Sequence, residues 1–270
     1  MIHTVRDETG CNPQLRKQVE TILNEVASLV GEVTRLDMPA CAVYRIITPE
    51  TWLKESTEVL RRALARDIED LKPGPDAQAA ARDSIEKFIG MAELAWPMVA
   101  GHTVMTDDGS AETHLVPEAL HHTGVMSDSQ YLYQVVAHEL VHHLQTAAKT
   151  FNWATAMPQL RGTANHAVQH LVEGHARWAD QLVTHQLLGA PVNYDLTPRS
   201  DLYQQRAEHD VIKKTRSGPS PYVVGAQFVT AAIAEFGLDT FNRIWPNPEL
   251  IPLASELADP GIWHKRVASA

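Results

Sequence analysis

The chain has 270 residues, of which 44% are hydrophobic and 21% charged, and its formal net charge is −10. This is the composition of a globular protein with enough apolar residues to build a core. The negative balance argues against an electrostatic nucleic-acid binder, no apolar run is long enough to span a membrane, and two cysteines are too few for a disulfide framework or a cysteine-rich metal site.

At the start of the chain, Arg6, Asp7, Glu8, Arg16 and Lys17 interrupt any apolar run, so no signal peptide is expected. With Cys11 and Cys41 read as free thiols, the expected setting is cytoplasmic. Residues 12–35 place Leu15, Val19, Ile22, Val26, Leu29 and Val33 at helical spacing. Residues 42–47 form a short β-type run. Pro49 then opens a helix to about Leu71, with Thr48 as its N-cap. Lys72-Pro73-Gly74-Pro75 breaks it, and a further helix is expected from Asp76 to Trp96. Residues 99–105 and 112–116 alternate around Asp107-Asp108-Gly109-Ser110, which is a hairpin signal. The Thr113–Val116 strand is a candidate to pair with an extended substrate, although such a hairpin more often only covers a core. The expected class is mainly α with a small β-sheet (α+β). Residues 1–96 read as an N-terminal helical and β part packed on a catalytic part, 97–270, with one continuous domain also allowed.

The segment from about Asp128 to Lys149 is the most informative. Val135, Val136, Leu140, Val141 and Leu144 fit a helix buried on most of its circumference, and Ser127 or Asp128 suits its N-cap. Inside it stands His138-Glu139-Leu140-Val141-His142, the pattern H-E-x-x-H. Residues four apart share a helix face, so both imidazoles can point at one metal ion. Glu139 can reach a water on that ion without being a ligand. Histidines and a glutamate are costly in an apolar helix unless they have partners, and a metal would supply one. The pentapeptide alone is short, and an amphipathic helix can carry it by chance. His143 projects about 100° away from His142, and is read as a surface or outer-shell histidine.

A third ligand must come from elsewhere. The metzincin pattern needs a glycine and a histidine where Gln145 and Ala148 stand, which excludes that pattern. In the gluzincin pattern a glutamate arrives from a second helix. Glu173 lies 31 residues after His142, in a helix expected from about Thr163 to Leu188. A loop at 152–162, with Pro158 and Gly162, would turn the chain back so that two antiparallel helices face each other. His166 and His170 share the face of Glu173 and keep a three-histidine site open. Gly174 and Ala176 favour Glu173 by allowing close helix approach. Asp180, two turns on, can accept the free N–H of a metal-bound histidine, or it is a surface aspartate.

H-E-L-V-H-H-L-Q followed by L-V-E-G-H-A resembles the gluzincin-type zinc metallopeptidases. The order of later segments, Tyr222–Val229, Glu235-Phe236-Gly237, Phe241–Trp245, Pro248–Pro252 and Asp259-Pro260-x-x-Trp263, is similar to an actinobacterial family of zinc-dependent metalloproteases. The similarity runs from about Tyr131 onward. It implies a zincin-like core, one zinc ion per chain held by His138, His142 and Glu173, and hydrolysis of a peptide or small amide substrate. One departure is Arg177, which stands where many gluzincins carry an acidic residue four positions after the ligand glutamate; the outer shell must differ, or Asp180 substitutes.

Zinc lowers the pKa of a bound water toward neutrality, Glu139 would take its proton, and the glutamate would then serve the leaving amine. Tyr222 is the candidate donor to the oxyanion, against a packing role for the same residue and against Tyr203, Arg206 and His209 as competing donors. Residues 189–221 read as a partly helical flap over the site. Two further classes stay open. Two histidines and a carboxylate also form the ligand set of non-haem iron(II) oxygenases, which have no need of Glu139. An inactive binding protein is the other.

Overall fold

The apolar stripe of the first helical segment does what its spacing predicts. Helix α1, Pro13–Thr34, buries Leu15, Val19, Ile22, Leu23, Val26 and Val30, and ends on Arg35 in a left-handed conformation whose N–H returns to the Gly31 carbonyl. It connects two parallel strands, β1 at Ile2–Asp7 and β2 at Cys41–Ile46. The computed structural model describes residues 2–149, 167–193 and 196–268.

After β2 come helix α2, Pro49–Leu71, and helix α3, Pro75–Ala95. The Thr48 side chain caps α2 by accepting from the Thr51 N–H. Strands β3, His102–Met105, and β4, Ala111–Leu115, are antiparallel, and Gly109 supplies the positive φ in their turn. Then follow α4, Pro117–His122; α5, Ser129–Ala148; α6, Val168–Leu188; α7, Asp201–Ala207; α8, Asp210–Thr215; α9, Pro221–Phe236; α10, Leu238–Asn242; and α11, Pro260–Ala268. The class is α+β, with one four-stranded sheet in the order β1-β2-β4-β3. The sheet takes two strands from each side of residue 96, and a single core joins α1, the sheet, α5, α6 and α9.

This order corrects one expectation. The Thr113–Val116 stretch cannot accept an added strand, because β4 is already paired with β2 on one side and β3 on the other. The free edge among the described strands on the site's side of the sheet is β3. The expected loop at 152–162, and His166, lie outside the described residues. The 189–221 segment is helical in part, as α7 and α8, and is fastened to the α4 end. Thr197 Oγ1 donates to the Thr123 carbonyl at 2.7 Å, Arg199 donates to the same carbonyl, and His122 Nδ1 lies 2.9 Å from Ser200 Oγ.

The sheet presents two chemically different faces. Alternation in β2 turns Ala42, Tyr44 and Ile46 into the core and Arg45 to the other side. There Arg45 holds Glu8, Glu55 and Glu112 at 2.6 to 2.8 Å. The three carboxylates hold the guanidinium pKa well above its ordinary value, and Arg45 and His114 hold Glu112 down at about 2 against the effect of burial.

Helices α6 and α9 cross where two glycines meet. A Cβ at Gly225 would lie 1.9 Å from the His170 carbonyl oxygen, and one at Gly174 would lie 2.1 Å from the Gly225 carbonyl carbon. Gly174 therefore does permit a close approach, but its partner is α9 and not the H-E-x-x-H helix. Backbone atoms on the facing helix cannot yield as a side-chain tip can. Overpacking commonly costs 1–3 kcal/mol and sometimes more, so Gly225→Ala should destabilise by about 3 kcal/mol. A thermal melt should show Tm lower by roughly 5–10 °C; an unchanged Tm would mean that the helices sit farther apart.

Candidate metal centre

Helix α5 starts on Asp128, whose side chain accepts from the Gln130 N–H at 3.0 Å. Its apolar residues Val135, Val136, Leu140, Val141 and Leu144 are buried, which leaves a narrow polar strip. His138 and His142 lie on that strip, one turn apart. Glu173 comes from α6. Its Oε2 stands 3.2 Å from His138 Nε2 and 3.7 Å from His142 Nε2. The three ligand-type atoms lie within 4.8 Å of one another.

The far nitrogen of each imidazole is occupied. His138 Nδ1 donates to Asp180 Oδ2 at 2.8 Å, and Asp180 Oδ1 accepts from Gln134 Nε2 at 3.1 Å. His142 Nδ1 donates to Gln145 Oε1 at 2.9 Å. Gln145 Nε2 in turn donates to the Val172 carbonyl at 2.9 Å and to His175 Nδ1 at 3.1 Å. Each bond fixes the orientation of its ring and directs Nε2 at the meeting point. His175 is walled in by Trp178, Phe241 and Trp245. The aromatic residues of the C-terminal segments thus hold up the outer shell from behind.

The charged groups of the site are paired with one another. Burial works against a charged His138, but the Asp180 and Glu173 carboxylates outweigh it and raise its pKa to about 10. Burial works against a charged Glu173, yet the two imidazoles bring its pKa well below the ordinary carboxylate range. Asp180, fully buried, is shifted up by desolvation against the pull of His138 and Arg177.

A second group, Glu55, Glu112 and His114, also satisfies the distance requirement for a cation. Its cation is already present in the form of the Arg45 guanidinium, which lies 2.7 and 2.8 Å from the two glutamates.

Glu139 is buried and turned toward β3, where its Oε2 accepts from Thr103 Oγ1 at 2.6 Å. Tyr222, in the first turn of α9, is 41% exposed, and its ring centroid is 5.9 Å from that of His138. Of the alternatives on α6, His170 is not part of the converging group. Arg177 is buried and donates to Asn193 Oδ1 at 2.6 Å. Arg199 stacks over the Tyr203 ring at 5.0 Å. Of the two expectations for His143, the surface one is corrected: the residue is 2% exposed, stacked on Tyr44 with ring centroids 5.5 Å apart, and bonded to Thr113 Oγ1. Its face of α5 looks at the sheet and not at solvent.

Three residues of the shell escaped the sequence reading. Gln134 precedes His138 by one turn, and Gln145 follows His142 by three positions, so helical spacing alone could have found both. Thr103 had no such signal, since strand pairing brings it to the site.

The zincin-like metallopeptidase family matches residues 166–264. That stretch contains Glu173, Asp180 and Tyr222 but not the H-E-x-x-H helix, so the motif and the match are separate observations. A solved structure from Chloroflexus aurantiacus, described as a candidate hydrolase with a novel fold, is similar over 96% of this chain and 92% of its own, with 17% identity and a TM-score of 0.54. That likeness is one of fold. No curated protein matches the chain.

Proposed function

We propose that the chain is a zinc-dependent metallopeptidase that hydrolyses a peptide or small amide bond. The observation that carries this reading is the convergence of His138 Nε2, His142 Nε2 and Glu173 Oε2, with both Nδ1 atoms held by Asp180 and Gln145. Two imidazoles and a carboxylate are the donors of a catalytic zinc site with an open position. The match to zincin-like metallopeptidases supports zinc and hydrolysis over the iron oxygenase chemistry that the same donor set allows.

Zinc bound there would polarise water and a substrate carbonyl. The chain's own residues would do the rest. Glu139, beside the first ligand, takes a proton from the attacking water and passes it to the leaving amine. Asp180 and Gln145 keep the imidazoles oriented. Tyr222 donates to the oxyanion, a role supported by its half-exposed ring beside His138. Among the described residues no helix is long and apolar enough to cross a membrane. Cys11 and Cys41 are free and exposed, which fits the proposed cytoplasmic setting.

Protein purified from zinc-supplemented medium should hold about one zinc per chain, since the ligands make one three-residue site. His138→Ala or His142→Ala should bring elemental analysis close to zero. Full occupancy in both variants contradicts the ligand set.

A further inference from the structure

The residue after His138 leaves the helix about 100° round from it, so Glu139 faces β3 while the two histidines face α6. The strand is shaped to receive it. Gly101 has no side chain, and a Cβ there would lie 2.6 Å from Glu139 Oε1. Thr103 Oγ1 donates to Glu139 Oε2 at 2.6 Å. Thr103 sits directly opposite Thr113 in the β3–β4 pair, and the two hydroxyl oxygens are 2.7 Å apart. Thr113 Oγ1 is 2.9 Å from His143 Nε2. His143 is locked by stacking on Tyr44, whose hydroxyl donates to the Val136 carbonyl at 3.0 Å.

The chain of bonds has one direction. A carboxylate only accepts, and each hydroxyl has one proton. Thr103 gives its proton to Glu139, so it must accept from Thr113. Thr113 has then spent its proton and must accept from His143, which carries its hydrogen on Nε2. Glu139 and His143 are four residues apart on α5, so two strand threonines join neighbouring turns of the helix to the sheet.

We infer that Thr103, Thr113 and His143 are positioning residues that hold the Glu139 carboxylate in one orientation for proton transfer. The inference rests on the reading of Glu139 as general base. A glutamate side chain has three rotatable bonds, and catalytic groups must be held to within about 0.5 Å by partners that are themselves locked. Here the partners come from the sheet edge, and Gly101 leaves room for the carboxylate against the strand backbone.

The test uses the full zinc-loaded chain and the variants Thr103→Val, Thr103→Ser and Glu139→Gln. The imidazole ¹⁵N spectrum, assigned with His143→Asn, should show His143 with its hydrogen on Nε2. In Thr103→Val, Thr113 becomes free to donate, and the Nδ1–H form should gain population. A wild-type His143 protonated on Nδ1, or a spectrum unchanged by Thr103→Val, overturns the inference whether or not a substrate is in hand. On a mixture of internally quenched peptides, Thr103→Val should lower kcat about 10- to 100-fold, the scale of a misplaced group. KM should stay within about twofold and zinc content unchanged, and Thr103→Ser should recover most of kcat. If Glu139→Gln abolishes turnover while Thr103→Val leaves kcat intact, positioning is wrong and the base reading stands. If Glu139→Gln keeps turnover, the base reading is wrong, and the positioning role falls with it.

Discussion

Glu139→Gln should keep its zinc and its fold and lose turnover by about 10²- to 10⁴-fold, the usual contribution of a positioned general base. The substitution barely changes size, and an amide oxygen can still accept from Thr103 Oγ1, so the contact at 2.6 Å survives. What disappears is a proton acceptor beside the first histidine. Bound metal and turnover should be measured on the same preparation, against a broad peptide library. Wild-type turnover in the variant would refute the mechanism. Loss of zinc would show Glu139 acting as part of the metal site, and the role of base would then fall to another group. Oxygen consumption with iron and oxoglutarate by a wild type that cleaves nothing would transfer the site to the oxygenase reading.

The second large effect concerns the ligand from α6. Glu173→Ala removes the oxygen that faces both Nε2 atoms at 3.2 and 3.7 Å. Removal of an outer-shell partner typically costs 10- to 100-fold in metal affinity, and loss of a ligand should exceed that. His170→Ala, on the same helix, should leave affinity nearly unchanged, and so should His166→Ala. The backbone carbonyl of His170 meets Gly225 of α9, and alanine retains it. Competition titration with a chromophoric zinc chelator gives the affinities directly. A His170→Ala variant that sheds zinc while Glu173→Ala holds it would replace the third ligand.

Much of this architecture was readable from local pattern. The stripe of α1, the Thr48 cap of α2, the break at 72–75 and the turn at Gly109 are all short-range features, and each lies within a few residues of its expected place. Strand β1 was not foreseen. Ile-His-Thr-Val-Arg-Asp carries little apolar alternation, and its identity as a strand comes from parallel pairing with β2, some forty positions away. The site divides along the same line. His138, Glu139 and His142 follow from helical periodicity, as does Asp180 two turns beyond Glu173. The choice between Glu173 and His170 depends on how α6 is rotated against α5, which no spacing within α6 determines. The smallness of Gly174 was legible, but its partner Gly225 lies on α9, about fifty positions later. His143 was correctly turned away from the ligands, yet what covers that face, Tyr44 and Thr113, belongs to two strands paired across nearly seventy residues.

One ion is proposed to sit between α5 and α6. Anomalous diffraction at the zinc edge, from crystals of the zinc-loaded chain, tests it most directly. One peak is expected about 2.0–2.2 Å from His138 Nε2, His142 Nε2 and a Glu173 carboxylate oxygen, with Asp180 and Gln145 still bonded to the far nitrogens. A peak between Glu55, Glu112 and His114 with none at the three proposed ligands would contradict it.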